Sequence, residues 1–169
     1  ANGGVHLKPY FIDKIEDANG VLFQHEQLCV APLDVEPCRV LSSEVALRAV
    51  ETMKGVIQFG TARRTALEPE APIGDKPRPA AGKTGTQDDN TNAWFVGYTK
   101  QLTTAVWVGD PKAYTPMVNI PEFVKQDGIT RVQGAMYPAR IWKQYMDAAH
   151  EGLPSLDWID APAPVATET

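Results

Sequence analysis

The chain of 169 residues is short of what several function classes need. Its 16 Lys and Arg stand against 21 Asp and Glu, a net charge of −5, so it has no positive excess with which to hold nucleic acid. No apolar run approaches the roughly 20 residues of a membrane-spanning helix. No secretory leader pattern opens it, and the start Ala1-Asn2-Gly3-Gly4, without Met, reads as a cut or a processed end. There are only two cysteines, Cys29 and Cys38, with neither a Cys-x-x-Cys nor a nearby His pair, so no zinc site closes. Two readings stay open for them: two free buried thiols, or a disulfide closing a short loop in an oxidising compartment. By loop entropy such a bridge adds about 2–3 kcal/mol.

What is present suits one soluble domain with a core, since 43% of the residues are hydrophobic and 22% charged. Val5 to Lys8 is short and extended. Tyr10 to Glu16 and Val21 to Gln24, joined at Ala18-Asn19-Gly20, predict a hairpin, because Asn-Gly between apolar-rich runs suits a tight turn. Residues 26 to 41 read as an irregular loop carrying the cysteines. His6 and His25 stand alone and read as surface or structural residues. A helix follows Ser42 or Ser43, with Val45, Ala46, Ala49, Val50, Met53, Val56 and Ile57 on its apolar face and Glu44, Arg48, Glu51 and Lys54 opposite. Residues 61 to 79 lack a period and read as an exposed loop with Arg63, Arg64 and Arg78. Residues 79 to 109 predict three consecutive antiparallel strands, separated by a polar turn at Asp88 to Asn92 and a short link at Thr99 to Gln101. Residues 112 to 137 read as loop. Pro138 opens a last helix with Ile141, Trp142, Tyr145, Met146 and Ala149 on its apolar face. Residues 156–169 read as a flexible tail. No internal repeats occur. The fold class is α+β, an antiparallel sheet with helices packed on it.

The densest chemistry lies in Ala81-Gly82-Lys83-Thr84-Gly85-Thr86. Gly82-Lys83-Thr84 matches the end of a phosphate-binding loop. That loop needs Gly at position 77, where this chain has Pro77 and so no N–H for a phosphate. It also needs a helix starting at the lysine, and here a polar turn and strands follow. A plain strand of small residues is the bland alternative.

Lys-Thr-Gly is also a signature element of serine penicillin-binding proteins and β-lactamases. The surroundings match more widely. Ala81 to Asn90, then Asn92-Ala93-Trp94-Phe95-Val96-Gly97-Tyr98-Thr99, then Leu102 to Gly109, resemble the transpeptidase domain of bifunctional (class A) penicillin-binding proteins. So do Ala1-Asn2-Gly3-Gly4-Val5 with Lys8-Pro9, Gly60-Thr61-Ala62, and Gly134 to Lys143. The resemblance runs in collinear order from residue 1 to about 155, as the C-terminal part of that domain. Its fold would be of the penicillin-binding protein and serine β-lactamase type, incomplete in this chain. The family's nucleophile lies in Ser-x-x-Lys, and its second element is Ser-x-Asn. The three serines here, Ser42, Ser43 and Ser155, fit neither spacing. The resemblance therefore implies an upstream segment of the same domain that carries both elements, without which this chain is inactive.

The resemblance implies a D,D-transpeptidase that cross-links peptidoglycan stem peptides through a serine acyl-enzyme and is acylated by β-lactams. Lys83 and Thr86 would be catalytic. Thr84, Gly85, Thr86 and Gln87 would bind substrate. No metal or organic cofactor is expected. The family works outside the bacterial cytoplasmic membrane, anchored by an upstream helix, and that location favours a Cys29–Cys38 bond. Glycan polymerisation, the second class A activity, belongs to another domain. Trp94 and Trp107 read as core or sheet-face packing. Two other functions compete: a serine β-lactamase-like hydrolase, and a non-catalytic module that holds a peptide or wall protein at its sheet edge.

Overall fold

A computed structural model describes residues 2–26, 38–63 and 73–158. The chain divides into two compact units, Asn2–Ala46 and the chain from Leu47 onward.

In the first unit, the expected hairpin is present with a shorter first strand: β1 (Lys14–Asp17) pairs antiparallel with β2 (Gly20–Gln24). Asp17 closes the turn, its carboxylate accepting from the N–H groups of Asn19 at 2.7 Å and Gly20 at 3.0 Å. Val5 bridges to Arg39, whose guanidinium donates to the Gly3 carbonyl at 2.8 Å. His25 stacks on Tyr10, with ring centroids 3.8 Å apart. Cys38 is buried and disulfide-bonded. Its expected partner, Cys29, lies outside the described residues, as do Arg64 and residues 159–169 of the expected tail.

Helix α1 spans Ser43–Gln58 and is capped by the Ser42 hydroxyl, which accepts from the Val45 N–H at 3.2 Å. Val50 and Ile57 are buried as expected. Lys54, placed by sequence on the polar face, is buried instead: its ammonium pairs with Glu51 at 2.6 Å and lies over the Trp158 ring. The long stem is covered while the charge keeps a partner.

Strands β3 (Ala81–Thr86), β4 (Asn92–Tyr98) and β5 (Thr103–Gly109) form one antiparallel sheet in that order. Opposed residues share a face, so Ala93, Phe95 and Gly97 of β4 lie on the same side as Thr86, Thr84 and Gly82 of β3. That side is packed. Phe95 is wholly buried and meets Trp142 edge-on, with centroids 5.3 Å apart. Trp142 belongs to α3 (Tyr137–Ala149) and donates its indole N–H to the Gly97 carbonyl at 3.0 Å. Ala139, Trp142 and Met146 form the buried stripe of α3, together with Ile57 of α1 in one core cluster. Ile141 and Tyr145, expected on that stripe, face outward, because the packed face is centred on Trp142 and they fall to one side of it. Full burial of a side chain such as Trp142 is the dominant stabilising term here, worth several kcal/mol.

Two further expectations change. A helix, α2 (Pro121–Asp127), stands in the stretch read as loop, closed by Gly128 at φ 68°. Arg78, read as part of an exposed loop, is buried and donates to the carbonyls of Ile73 at 2.7 Å, Leu153 at 2.9 Å and Pro154 at 3.2 Å. These three carbonyls take up its terminal N–H groups, while the buried Nε is left without a protein partner among the described residues.

Candidate active site

Strand β3 is at the edge of its sheet, paired with β4 alone among the described residues. Antiparallel ladders alternate hydrogen-bonded and non-bonded pairs. Gln87 donates its N–H to the Asn92 carbonyl at 2.9 Å, just past the strand end. The register continues from that pair as Thr86↔Ala93, Gly85↔Trp94, Thr84↔Phe95 and Lys83↔Val96. Gln87, Gly85 and Lys83 therefore turn their backbone polar groups to β4, while Thr86 and Thr84 turn theirs to the uncovered edge. Exposed polar groups on such an edge can pair with an added strand.

The side chains divide the other way. Lys83 is exposed on the face shared with Val96, and its ammonium donates to the Thr84 carbonyl at 2.7 Å. It thus places a positive charge on the uncovered edge. Thr84 and Thr86 lie on the packed face, and each meets one polar partner from outside the sheet. The Thr84 hydroxyl is 2.9 Å from that of Thr61. The Thr86 hydroxyl accepts from the Gly134 N–H at 3.1 Å. Gly134 lies directly against β3 and β4: a Cβ there would fall 2.1 Å from the Trp94 carbonyl oxygen and 2.7 Å from that of Gly85. Gly85 is different. A Cβ there would meet first the Trp94 side chain, its Cβ at 3.2 Å and its ring atoms at 3.9 Å and beyond.

Gln87 is tied back to β4, since its side-chain oxygen also accepts from the Asn92 amide. The polar turn that follows is a 3-10 turn, Asp88–Asn90, with Asp89 and Asn90 in the left-handed region. Asn90 is buried, and its amide donates to the Val132 carbonyl at 3.0 Å. Trp94 and Trp107 are cross-strand partners on the outward face, with centroids 6.2 Å apart, and Trp107 donates to the Asn92 side chain at 2.7 Å. This is the sheet-face packing expected of them.

The groups whose ionisation is shifted lie off the strand. Tyr137, where α3 begins, has its hydroxyl raised above the ordinary tyrosine value by its hydrogen bond to the Asp127 carboxylate. Burial raises Tyr98. The Thr115 hydroxyl and the Lys112 N–H hold Asp110 below the usual carboxylate range. Sequence reasoning missed Thr61 and Gly134 as neighbours of the two threonines. Both lie within stretches already singled out, Gly60-Thr61-Ala62 and Gly134 to Lys143.

Residues 1–119 match the family model of the penicillin-binding protein transpeptidase domain. Penicillin-binding protein 1A of Aquifex aeolicus is 33% identical over 159 residues, which is 94% of this chain and 18% of that protein. Penicillin-binding protein 1A of Mycolicibacterium smegmatis is 32% identical over 158 residues, 90% of this chain and 17% of that protein. The chain thus spans under a fifth of the length of these relatives. A solved structure of the penicillin-binding protein PonA1 from Mycobacterium tuberculosis superposes with a TM-score of 0.66 at 28% identity, covering 99% of this chain and 42% of that one. The fold of penicillin-binding protein 1A from Haemophilus influenzae is also similar, with a TM-score of 0.62 at 23% identity, over 95% of this chain and 26% of that one. By family model, relatives and fold, the chain belongs to the penicillin-binding protein transpeptidase domain family, in its class A branch.

Proposed function

We propose that this chain supplies the carboxylate-binding and oxyanion wall of a D,D-transpeptidase that cross-links peptidoglycan stem peptides, and that β-lactams acylate the same site. The observation that carries the reading is the uncovered edge of β3. The backbone groups of Thr84 and Thr86 point to it, and the Lys83 ammonium sits on it.

The nucleophile is a serine in Ser-x-x-Lys on another stretch of the same protein. Its Oγ bonds to the carbonyl carbon of the penultimate D-alanine, the peptide C–N bond breaks, and D-alanine leaves with the serine proton. An amine of a neighbouring stem then bonds to that carbon, the ester C–O bond breaks, and the serine regains a proton from the amine. The Thr86 N–H is one donor to the oxyanion formed in each step, and the serine's own N–H is the other. The Thr84 and Thr86 hydroxyls donate to the terminal carboxylate of the donor peptide. Lys83 adds positive charge there and tunes the serine of Ser-x-Asn, which passes a proton to the leaving amine. At Gly85 the absence of a side chain lets the peptide lie along the edge as an added strand. Gln87 shapes the end of that groove. The assembled protein works on the outer face of the cytoplasmic membrane, anchored by an upstream helix.

The test is to label the intact protein with a fluorescent penicillin and map the adduct. The label is expected on a serine of the segment carrying Ser-x-x-Lys, and residues 1–169 alone should stay unlabelled. A covalent adduct within residues 1–169, or purely reversible binding by the intact protein, would overturn the reading.

A further inference from the structure

Thr84 and Thr86 each receive one polar neighbour from outside the sheet, and the two neighbours differ in kind. The partner of Thr86 is a backbone N–H, that of Gly134, which can only donate. Thr86 therefore keeps its own hydroxyl proton for another acceptor. The partner of Thr84 is a second hydroxyl, 2.9 Å away on Thr61, and either oxygen can be the donor. Among the described residues, no other hydrogen bond to either hydroxyl fixes the direction of that bond.

We propose that Thr61 is a positioning residue whose bond to Thr84 is given its direction by a bound carboxylate. With the anion present, Thr61 donates to Thr84 Oγ1, and Thr84 donates its proton to the anion. This rests on the carboxylate role proposed above for Thr84. Hydroxyls in series polarise one another, so an oxygen that accepts a hydrogen bond becomes a stronger donor. The arrangement matches on one threonine what the Gly134 N–H does for the other, so both hydroxyls are held as donors towards the same edge.

Thr61 is well suited to this. It is exposed, but its turn is fixed from both sides. The Gly60 N–H donates to the Gly55 carbonyl at 2.7 Å, and the Ala62 N–H to the Val56 carbonyl at 3.0 Å. Ala62 is wholly buried in the core cluster with Ile57, Phe95 and Trp142. The hydroxyl is thus carried on a short anchored turn, so little further ordering is needed to make the bond.

The test uses the intact protein with two probes, a penicillin and its methyl ester, which lacks the anion. Acylation is followed against probe concentration in Thr61→Val, Thr61→Ser, Thr84→Val and the Thr61→Val/Thr84→Val double variant. Losing one neutral hydrogen bond predicts that Thr61→Val raises the half-saturating penicillin concentration about threefold to tenfold, with the maximal acylation rate little changed. The ester should be nearly insensitive, Thr61→Ser should restore the wild-type value, and the double variant should be no worse than Thr84→Val. If Thr84→Val is impaired while Thr61→Val behaves as wild type, or slows both probes equally, the role of Thr61 is overturned and the carboxylate reading stands. If Thr84→Val itself acylates as wild type, the carboxylate reading fails and the role of Thr61 falls with it.

Discussion

The two sides of strand β3 are built differently. On the side of Thr84 and Thr86 the hydroxyls are held by Thr61 and Gly134, and the sheet beneath is filled by Phe95, Trp142 and Met146. On the side of Lys83 and Gly85 the neighbours are Val96 and Trp94, both exposed, and among the described residues the lysine reaches only the carbonyl of the next one. One side is supported along the strand; the other is open beside Lys83 and Gly85 and is packed only at its far end, where Ala81 and Tyr98 meet Val50 and Trp158. Side chains alternate along a strand, so no run of four residues can put all its functional groups on one face. They can meet only at the edge, where both faces and the backbone N–H groups are within reach. On an edge strand such as β3, Lys83, Thr84, Gly85 and Thr86 can therefore present their groups together.

The comparison can be broken in four ways, from the largest effect to the smallest. Lys83→Ala in the intact protein removes the charge at the open edge and should slow penicillin acylation by about 10² or more, the scale of the proton transfer that this charge tunes. The melting temperature should hardly move, because the lysine is exposed; acylation at the wild-type rate would take Lys83 out of the site. Gly134→Ala attacks the supported side. The added carbon would fall 2.1 Å from the Trp94 carbonyl oxygen, so the loop must shift, and overpacking of this kind costs about 1–3 kcal/mol. Urea midpoints measure it, and a midpoint equal to wild type would mean that Gly134 does not press on the sheet. Gly85→Ala is its mirror image. The nearest neighbour of its carbon would be the exposed Trp94 side chain, at 3.2 Å, so stability should fall by less than about 1 kcal/mol while acylation slows more than tenfold, if a peptide lies along this edge. Equal losses of stability in the two alanine variants would erase the contrast between the sides. Trp107→Phe removes an indole hydrogen bond to Asn92 on the outward face and should cost only about 0.5–1.5 kcal/mol, read from the same urea curves.

Much of this was legible in the sequence where the cause is local. Asn19-Gly20 marks a turn by backbone conformation, and the β-branched and aromatic runs around Phe95 and Val106 mark strands. The bounds of β3, β4 and β5 follow those signals closely. Helix α2 was missed although Pro121 and Gly128 bracket it, because seven residues are too few to show a period. Lys54 and Arg78 were assigned to solvent by their charge. What buries them comes from far along the chain, Trp158 in one case and the carbonyls of Leu153 and Pro154 in the other. The site divides in the same way. Lys83 to Thr86 stand out as residue types, whereas Thr61 and Gly134 become neighbours only once α1 and the 132–136 turn pack against the sheet. No pattern within a window of residues can announce a contact made across 48 positions.

The buried Asn90 has a mechanical consequence. Its amide holds the Val132 carbonyl, its own carbonyl accepts from the Met117 N–H at 3.1 Å, and Val132 N–H returns to the Met117 carbonyl at 3.0 Å. The turn that ends β3 and the segment that carries Gly134 are therefore stitched to each other and to Met117. The exposed stretch from Lys112 to Pro116 lies outside those stitches. It is tied instead to Asp110, whose carboxylate accepts from the Lys112 N–H at 2.9 Å and the Thr115 hydroxyl at 2.6 Å. A change in the 112–116 stretch is thus felt first at Asp110, while Asn90, Met117 and Val132 keep Thr86 and Gly134 at a fixed spacing.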